Sequence, residues 1–177
     1  ASWQQVASGL YIYPPAQAST NGVLQISLGY LRFIPMLVPR AFTAEKIGIE
    51  VTTIASAGGG ARLGLYLPHT DNGPGELLVD AGFVAMDDTA NLHEVTINQA
   101  IPQGLIWACY VAQVAAPTVR CFTSLSMLVG LSTYEPNSEN LCYRSSVDTF
   151  TGALPSSAVS DKLSGQGAAP LVVLKAA

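Results

Sequence analysis

Charge is what this chain has least of. Only 11% of its 177 residues are Asp, Glu, Lys or Arg, and 49% are hydrophobic. A typical soluble domain carries roughly 25% charged residues. A surface so poor in charge either relies on Ser, Thr, Asn and Gln or is covered in an assembly. The net charge of −4 argues against non-specific binding to nucleic acid or to an anionic membrane surface. Long apolar runs are missing as well. None reaches the roughly 18 residues of a spanning helix, so membrane insertion is not expected. The three cysteines, Cys109, Cys121 and Cys142, are an odd number in a chain long enough to bury a core without staples. That fits folding in a reducing cytoplasm better than a secreted disulfide scaffold. No basic and apolar leader is visible. The first residue is Ala1 rather than Met, which suggests trimming or a fragment of a longer polypeptide. No segment has a helical period with caps.

What remains is strands and turns. Residues 1–22 read as a connector or first edge strand, with an apolar run from Leu10 to Tyr13. Residues 23–177 read as one β domain. The clearest strand is 45–53, where Ile47, Ile49 and Val51 alternate with Lys46, Glu50 and Thr52. Leu63, Leu65 and Leu67 are in phase in the next. A hairpin centred on Ala57 would face Ile47 with Leu67, Ile49 with Leu65 and Val51 with Leu63, using the glycines at 58–60 for the turn. Asp71-Asn72-Gly73 and Pro74-Gly75 make a turn by side-chain capping and left-handed geometry. Strands follow at Leu77 to Val84 and from His93, with Val95 and Ile97 inward. Residues 104–114 are apolar on both faces. This predicts a central strand covered by a second sheet on one side and by loops or a subunit on the other. Residues 151–169 read as a long loop before a last strand at Leu171 to Leu174. Short strands at this spacing predict an antiparallel β-sandwich, jelly-roll-like.

Reactive groups do not assemble into a catalytic frame. His69 and His93 have Asp71 and Asp88 nearby in sequence, yet no G-x-S-x-G elbow accompanies them, so turn or surface roles are expected. Asp71, Asn72 and Glu76 have calcium-type oxygens, but Pro74 interrupts the spacing and turn chemistry explains them. Glu45, Glu50, Asp80, Glu94 and Asp148 imply no glycosidase pair. No zinc spacing occurs, and no metal or cofactor is expected. A simple hairpin over Ala115 would set Cys109 opposite Cys121. Either a disulfide or two buried thiols would fit, and the narrow bridge geometry favours thiols. Trp107 is in phase with Leu105 and Cys109, which makes it core. Tyr110, Tyr134 and Tyr143 are the aromatics expected at an exposed or intersubunit surface. With Asp71 and Asn72 they are the candidate receptor contacts. Loops 54–60, 69–76 and 151–169 are where recognition is expected.

Certain residues also carry a family resemblance. They are Arg32-Phe33-Ile34-Pro35, Val38-Pro39-Arg40, Ile47 to Thr53, Arg62-Leu63-Gly64-Leu65-Tyr66, Asn72 to Leu77, Asp80-Ala81-Gly82, Leu105-Ile106-Trp107 and Ala116 to Arg120. In this order and spacing, over roughly Leu31 to Leu131, they resemble the β-sandwich domain of fibres, tail-tip proteins and head appendages of double-stranded DNA phages. The resemblance implies a non-enzymatic virion structural protein, exposed on the particle after folding in the host cytoplasm. It implies a homotrimer bound to other virion proteins, capsid or tail, and attachment to a host-surface glycan or protein. A capsid decoration protein and a carbohydrate-binding module of a cellular protein are the alternatives.

Overall fold

The computed structural model describes residues 8–12, 21–122, 142–145, 149–158 and 163–177. In chain order the strands are β1 (Tyr11–Ile12), β2 (Asn21–Gln25), β3 (Arg32–Val38), β4 (Phe42–Thr53), β5 (Gly60–Pro68), β6 (Pro74–Ala85) and β7 (Leu92–Ile101). They continue as β8 (Gly104–Gln113), β9 (Thr118–Phe122), β10 (Cys142–Ser145), β11 (Leu163–Gln166), β12 (Ala169–Pro170) and β13 (Val172–Ala176). No helix occurs among the described residues. The protein is an antiparallel β-sandwich.

Eight strands set its topology. One sheet contains the order β2-β9-β4-β7 and the other the order β3-β8-β5-β6. The pairs β2–β9, β3–β8, β4–β7 and β5–β6 are all antiparallel. Each pairs a strand from the start of the run with one from its end, so the chain is one long hairpin rolled into two layers. That nesting is a jelly roll. β13 and then β1 lie along the edge of β4 opposite β7, the edge that β9 takes further along the strand, and β10 and β11 continue the second sheet beyond β3.

The nesting corrects the expected hairpin between β4 and β5. These strands belong to different sheets, and Ile47 lies beside Leu174 and Val95, not Leu67. The phase of the residues was legible all the same. Ile47, Ile49, Val51, Leu63 and Leu65 are all buried in one core, meeting across the sandwich rather than along a ladder. Only the β5–β6 link, through Asp71-Asn72-Gly73, is a true hairpin within this set. The β8–β9 link also changes sheets, so Cys109 and Cys121 do not face each other. Both are buried free thiols.

β8 is the central strand, between β3 and β5. Its inner face (Ile106, Ala108, Tyr110, Ala112) joins the intersheet core. Its outer face (Trp107, Cys109, Val111) joins a second core with Phe33, Tyr66 and Leu154. The cover on that side is the segment 149–158, which takes in the start of the loop 151–169 where recognition is expected from sequence. It is a strap. Leu154 N–H donates to Asp80 at 3.0 Å, Tyr66 O–H to the Pro155 carbonyl at 2.8 Å, and Gln113 Nε2 to the Phe150 and Gly152 carbonyls at 3.2 and 2.9 Å. Gly64 leaves room for the strap: a Cβ there would meet Leu154 Cδ1 and, at 2.7 Å, the Val79 carbonyl oxygen of β6.

Candidate functional site

The residues expected to meet a receptor do not form one surface. Asp71 and Asn72 are exposed on the β5–β6 hairpin. Asp71 Oδ1 accepts the Gly73 N–H at 3.0 Å and meets His69 Nδ1 at 3.0 Å. The Gly73 bond and then the histidine hold the Asp71 carboxyl below its ordinary range. Asn72 takes a φ of 66°, and its carbonyl accepts the Trp107 indole N–H at 3.1 Å. Turn chemistry therefore accounts for this group. His93 hydrogen-bonds the Thr89 carbonyl at 2.8 Å. Tyr134 lies outside the described residues. Tyr143 is half-buried, its ring tilted against Trp107 at 5.5 Å, so it packs rather than projects.

Tyr110 is a correction. It is 0% exposed, inside the intersheet core. A strand covered on both faces has no wet phase, so alternation could not reveal its direction. Its hydroxyl finds no hydrogen-bond partner among the described residues. Removing an unsatisfied buried hydroxyl without changing shape is close to neutral or stabilising. Tyr110→Phe is therefore expected to gain about 1 kcal/mol in chloride buffer, read from the urea midpoint. A loss of that size would show that the hydroxyl has a partner.

Two other places have binding character. The first is on the outer face of the first sheet. There β4 changes neighbours on one edge, from β13 at Ile49–Val172 to β9 at Val51–Val119. The fork leaves a cleft of about 250 Å³ lined by Tyr11, Glu50, Asn91, Leu92, Leu171 and Val173. Outward Leu92 and Val173 give it an apolar floor, opposite Glu50 and Gly48 in the ladders. Tyr11 reaches across the face and donates to Glu94 Oε1 at 2.8 Å. Glu50 receives Arg120 through Nη2 at 2.8 Å and Nε at 3.2 Å. The Arg120 hydrogen bond outweighs burial and holds the Glu50 carboxyl below its ordinary range, so it stays an acceptor. A held aromatic ring and carboxylate, with the exposed Asn91 amide beside them, above an apolar floor suit a small ligand with one apolar face and hydroxyls at its edge. Sequence placed Tyr11 and Glu50 on strands but gave no sign of the fork, which depends on β9 and β13 sharing one edge.

The second place is the sandwich end where links 26–31, 54–59, 86–91 and 114–117 gather. Gly29 N–H donates to the Ala112 carbonyl, and Gly60 N–H to the Ala115 carbonyl. Gly58 N–H donates to Asp87 Oδ2 at 2.6 Å. Leu28, Ile54 and Val114 are exposed here, by 41%, 44% and 72%. Val114 has a φ of 64°, and Ala115 N–H closes onto the Gln113 carbonyl at 2.8 Å. This is a γ-turn with a β-branched residue at its centre, the rare and strained form.

No protein-family model matches the chain, and no curated protein matches it significantly. Among the described residues no three His, Cys, Asp or Glu side chains gather as a metal site requires.

Proposed function

We propose that this chain is a bacteriophage virion structural protein, an exposed fibre or appendage module that attaches to a host surface as a homotrimer. The observation that carries the attachment reading is the cleft at the sheet fork. The ring of Tyr11 and the Leu92 and Val173 side chains offer an apolar platform. Asn91 and the Glu50 carboxylate offer hydrogen bonds at its edge. This is the chemistry of a neutral pyranose ring. Three copies would turn a weak single-site contact into firm attachment. The phage-appendage resemblance of residues 31–131 supports the location on a virion, and the jelly roll suits it without specifying it.

The test is an NMR titration of the ¹⁵N-labelled chain with methyl glycosides of neutral hexoses. Shifts are expected at Asn91 and Leu92, with Asn91→Ala and Tyr11→Ala weakening binding at least fivefold and Tyr11→Phe retaining most of it. No shift at the cleft with any glycoside would sink the saccharide reading. Light scattering across a dilution series is expected to give a trimer mass. A clean monomer would remove the assembly and redirect attention to capsid decoration.

A further inference from the structure

The inner face of the second sheet carries a row of donors that the attachment reading does not use. Arg144 on β10 is paired in register with Arg32 on β3, and Arg32 with Tyr110 on β8. Side chains alternate along each strand. Cys142, Ile34 and Tyr110 point into the intersheet core, so Arg144 and Arg32 share that face. Three donor side chains therefore stand side by side across three strands, about 5 Å apart. Two cations directly opposite each other in a ladder repel.

Such an arrangement is expected to come with a counter-charge, because buried arginines are normally paired. Elsewhere this chain follows the rule: Arg62 has Asp80 and Arg120 has Glu50, each at 2.8 Å. Arg32 is only 8% exposed. Among the described residues neither Arg32 nor Arg144 has an ion pair. Among the described residues the Arg32 Nη1 has Cys142 Sγ at 4.0 Å, and Arg144 lies 4.9 Å from the Tyr30 ring centroid. The Nε atoms of both arginines and the Tyr110 hydroxyl are buried without an acceptor among the described residues. Cys142 does not supply the anion. Burial pushes its thiol up to about 11 despite Arg32, and it lies 3.2 Å from the Ala168 carbonyl as a donor.

We propose that this row is a binding site for an oxyanion, a phosphate, sulfate or carboxylate group held by Arg32, Arg144 and the Tyr110 hydroxyl. Two guanidinium forks match such a group in shape and charge, and the phenol adds a third donor. An anion with several acceptor oxygens can satisfy all three unpartnered atoms and cancels the repulsion between the arginines. Arg144, the more open of the two, marks the side of entry. The site is separate from the cleft on the outer face of the first sheet, and either holds without the other.

The test is thermal unfolding of the purified chain in Tris chloride. Phosphate, sulfate, acetate and glucuronate are titrated against sodium chloride of equal ionic strength. At least one oxyanion is expected to raise the midpoint saturably above the chloride control. Arg32→Met and Arg144→Gln are each expected to weaken that binding at least tenfold, and Tyr110→Phe to weaken it less. Arg144→Gln, being half-exposed, keeps the test open if Arg32→Met misfolds. Saturation by glucuronate below the phosphate concentration would assign the anion to an acidic saccharide or peptide. Saturation by phosphate or sulfate first would assign it to a free ion. No rise above the chloride control with any of the four, or a rise that survives in both arginine variants, overturns the site.

Discussion

Asp80→Ala is expected to destabilise the fold by about 3–5 kcal/mol, the cost of leaving a buried charge without its partner. At this chain length that lowers the melting midpoint by roughly 10 °C. Asp80 is on β6, and both of its oxygens receive Arg62 Nη1 at 2.8 Å. The same carboxylate accepts the Gly82 N–H at 2.9 Å and the Leu154 N–H at 3.0 Å. One side chain thus neutralises a mostly buried cation, fixes a glycine with φ of 89°, and anchors the strap over β8. Removing it strands Arg62, whose Nε already lacks a partner among the described residues. Because the penalty lies in the stranded charge, Arg62→Met with Asp80→Leu is expected to recover more than half of the loss. Equal instability of single and double variants would move the cost to the strap. Acid acts on the same group. Burial alone would raise the Asp80 carboxyl, but Arg62 and the Gly82 and Leu154 N–H groups hold it below its ordinary 3.8. A depressed carboxylate stabilises fully above its unfolded value, and the contribution is lost as pH falls through the folded value. The unfolding midpoint of the wild type is therefore expected to drop below about pH 4. Asp80→Ala should show a shallower drop there.

These residues show how far a sequence reading reaches. Alternation in 45–53 and 61–67 assigns the buried faces, because burial depends only on phase along each strand. It does not assign the partner. In a jelly roll the links after β2, β3 and β4 all change sheets, and a short link with glycines reads the same whether it turns back or crosses over. The dry-on-both-sides run 104–114 did announce a central strand with two covers. Which segment supplied the second cover was hidden, because the strap 149–158 holds through carbonyls and N–H groups that any sequence has. Its one local mark is Gly64, where a Cβ would collide with both Leu154 and the Val79 carbonyl. The outer-face cleft and the Arg144–Arg32–Tyr110 row were invisible for a related reason. Both arise where strands distant in the chain become neighbours, and no local pattern encodes that.

Val114→Gly and Val114→Asn are expected to make the protomer more stable while weakening the proposed self-association at least tenfold. A valine with positive φ carries about 1–3 kcal/mol of strain. Glycine and asparagine enter that region readily. Glycine returns part of the gain through its more flexible unfolded chain, so Asn is expected to show the larger increase. Strain kept at a solvent-exposed position has no explanation in packing. The turn is over-determined by its neighbours: Gln113 is tied to the strap, and the Ala115 carbonyl accepts the Gly60 N–H. What it achieves is to project an isopropyl group outward at the sandwich end that also carries the exposed Leu28 and Ile54, apolar surface suited to contact between copies. The rim is acidic, with Asp87 against Gly58 and Asp88 largely exposed. Copies meeting there bring like charges together, so added salt should strengthen the association by screening. Stability must be compared at concentrations where wild type and variants are all dissociated, since association itself raises the apparent midpoint. Light scattering then reads the assembly separately. A variant that gains stability and keeps the wild-type mass at every dilution would remove Val114 from the interface. A variant that loses stability would mean the turn is not strained.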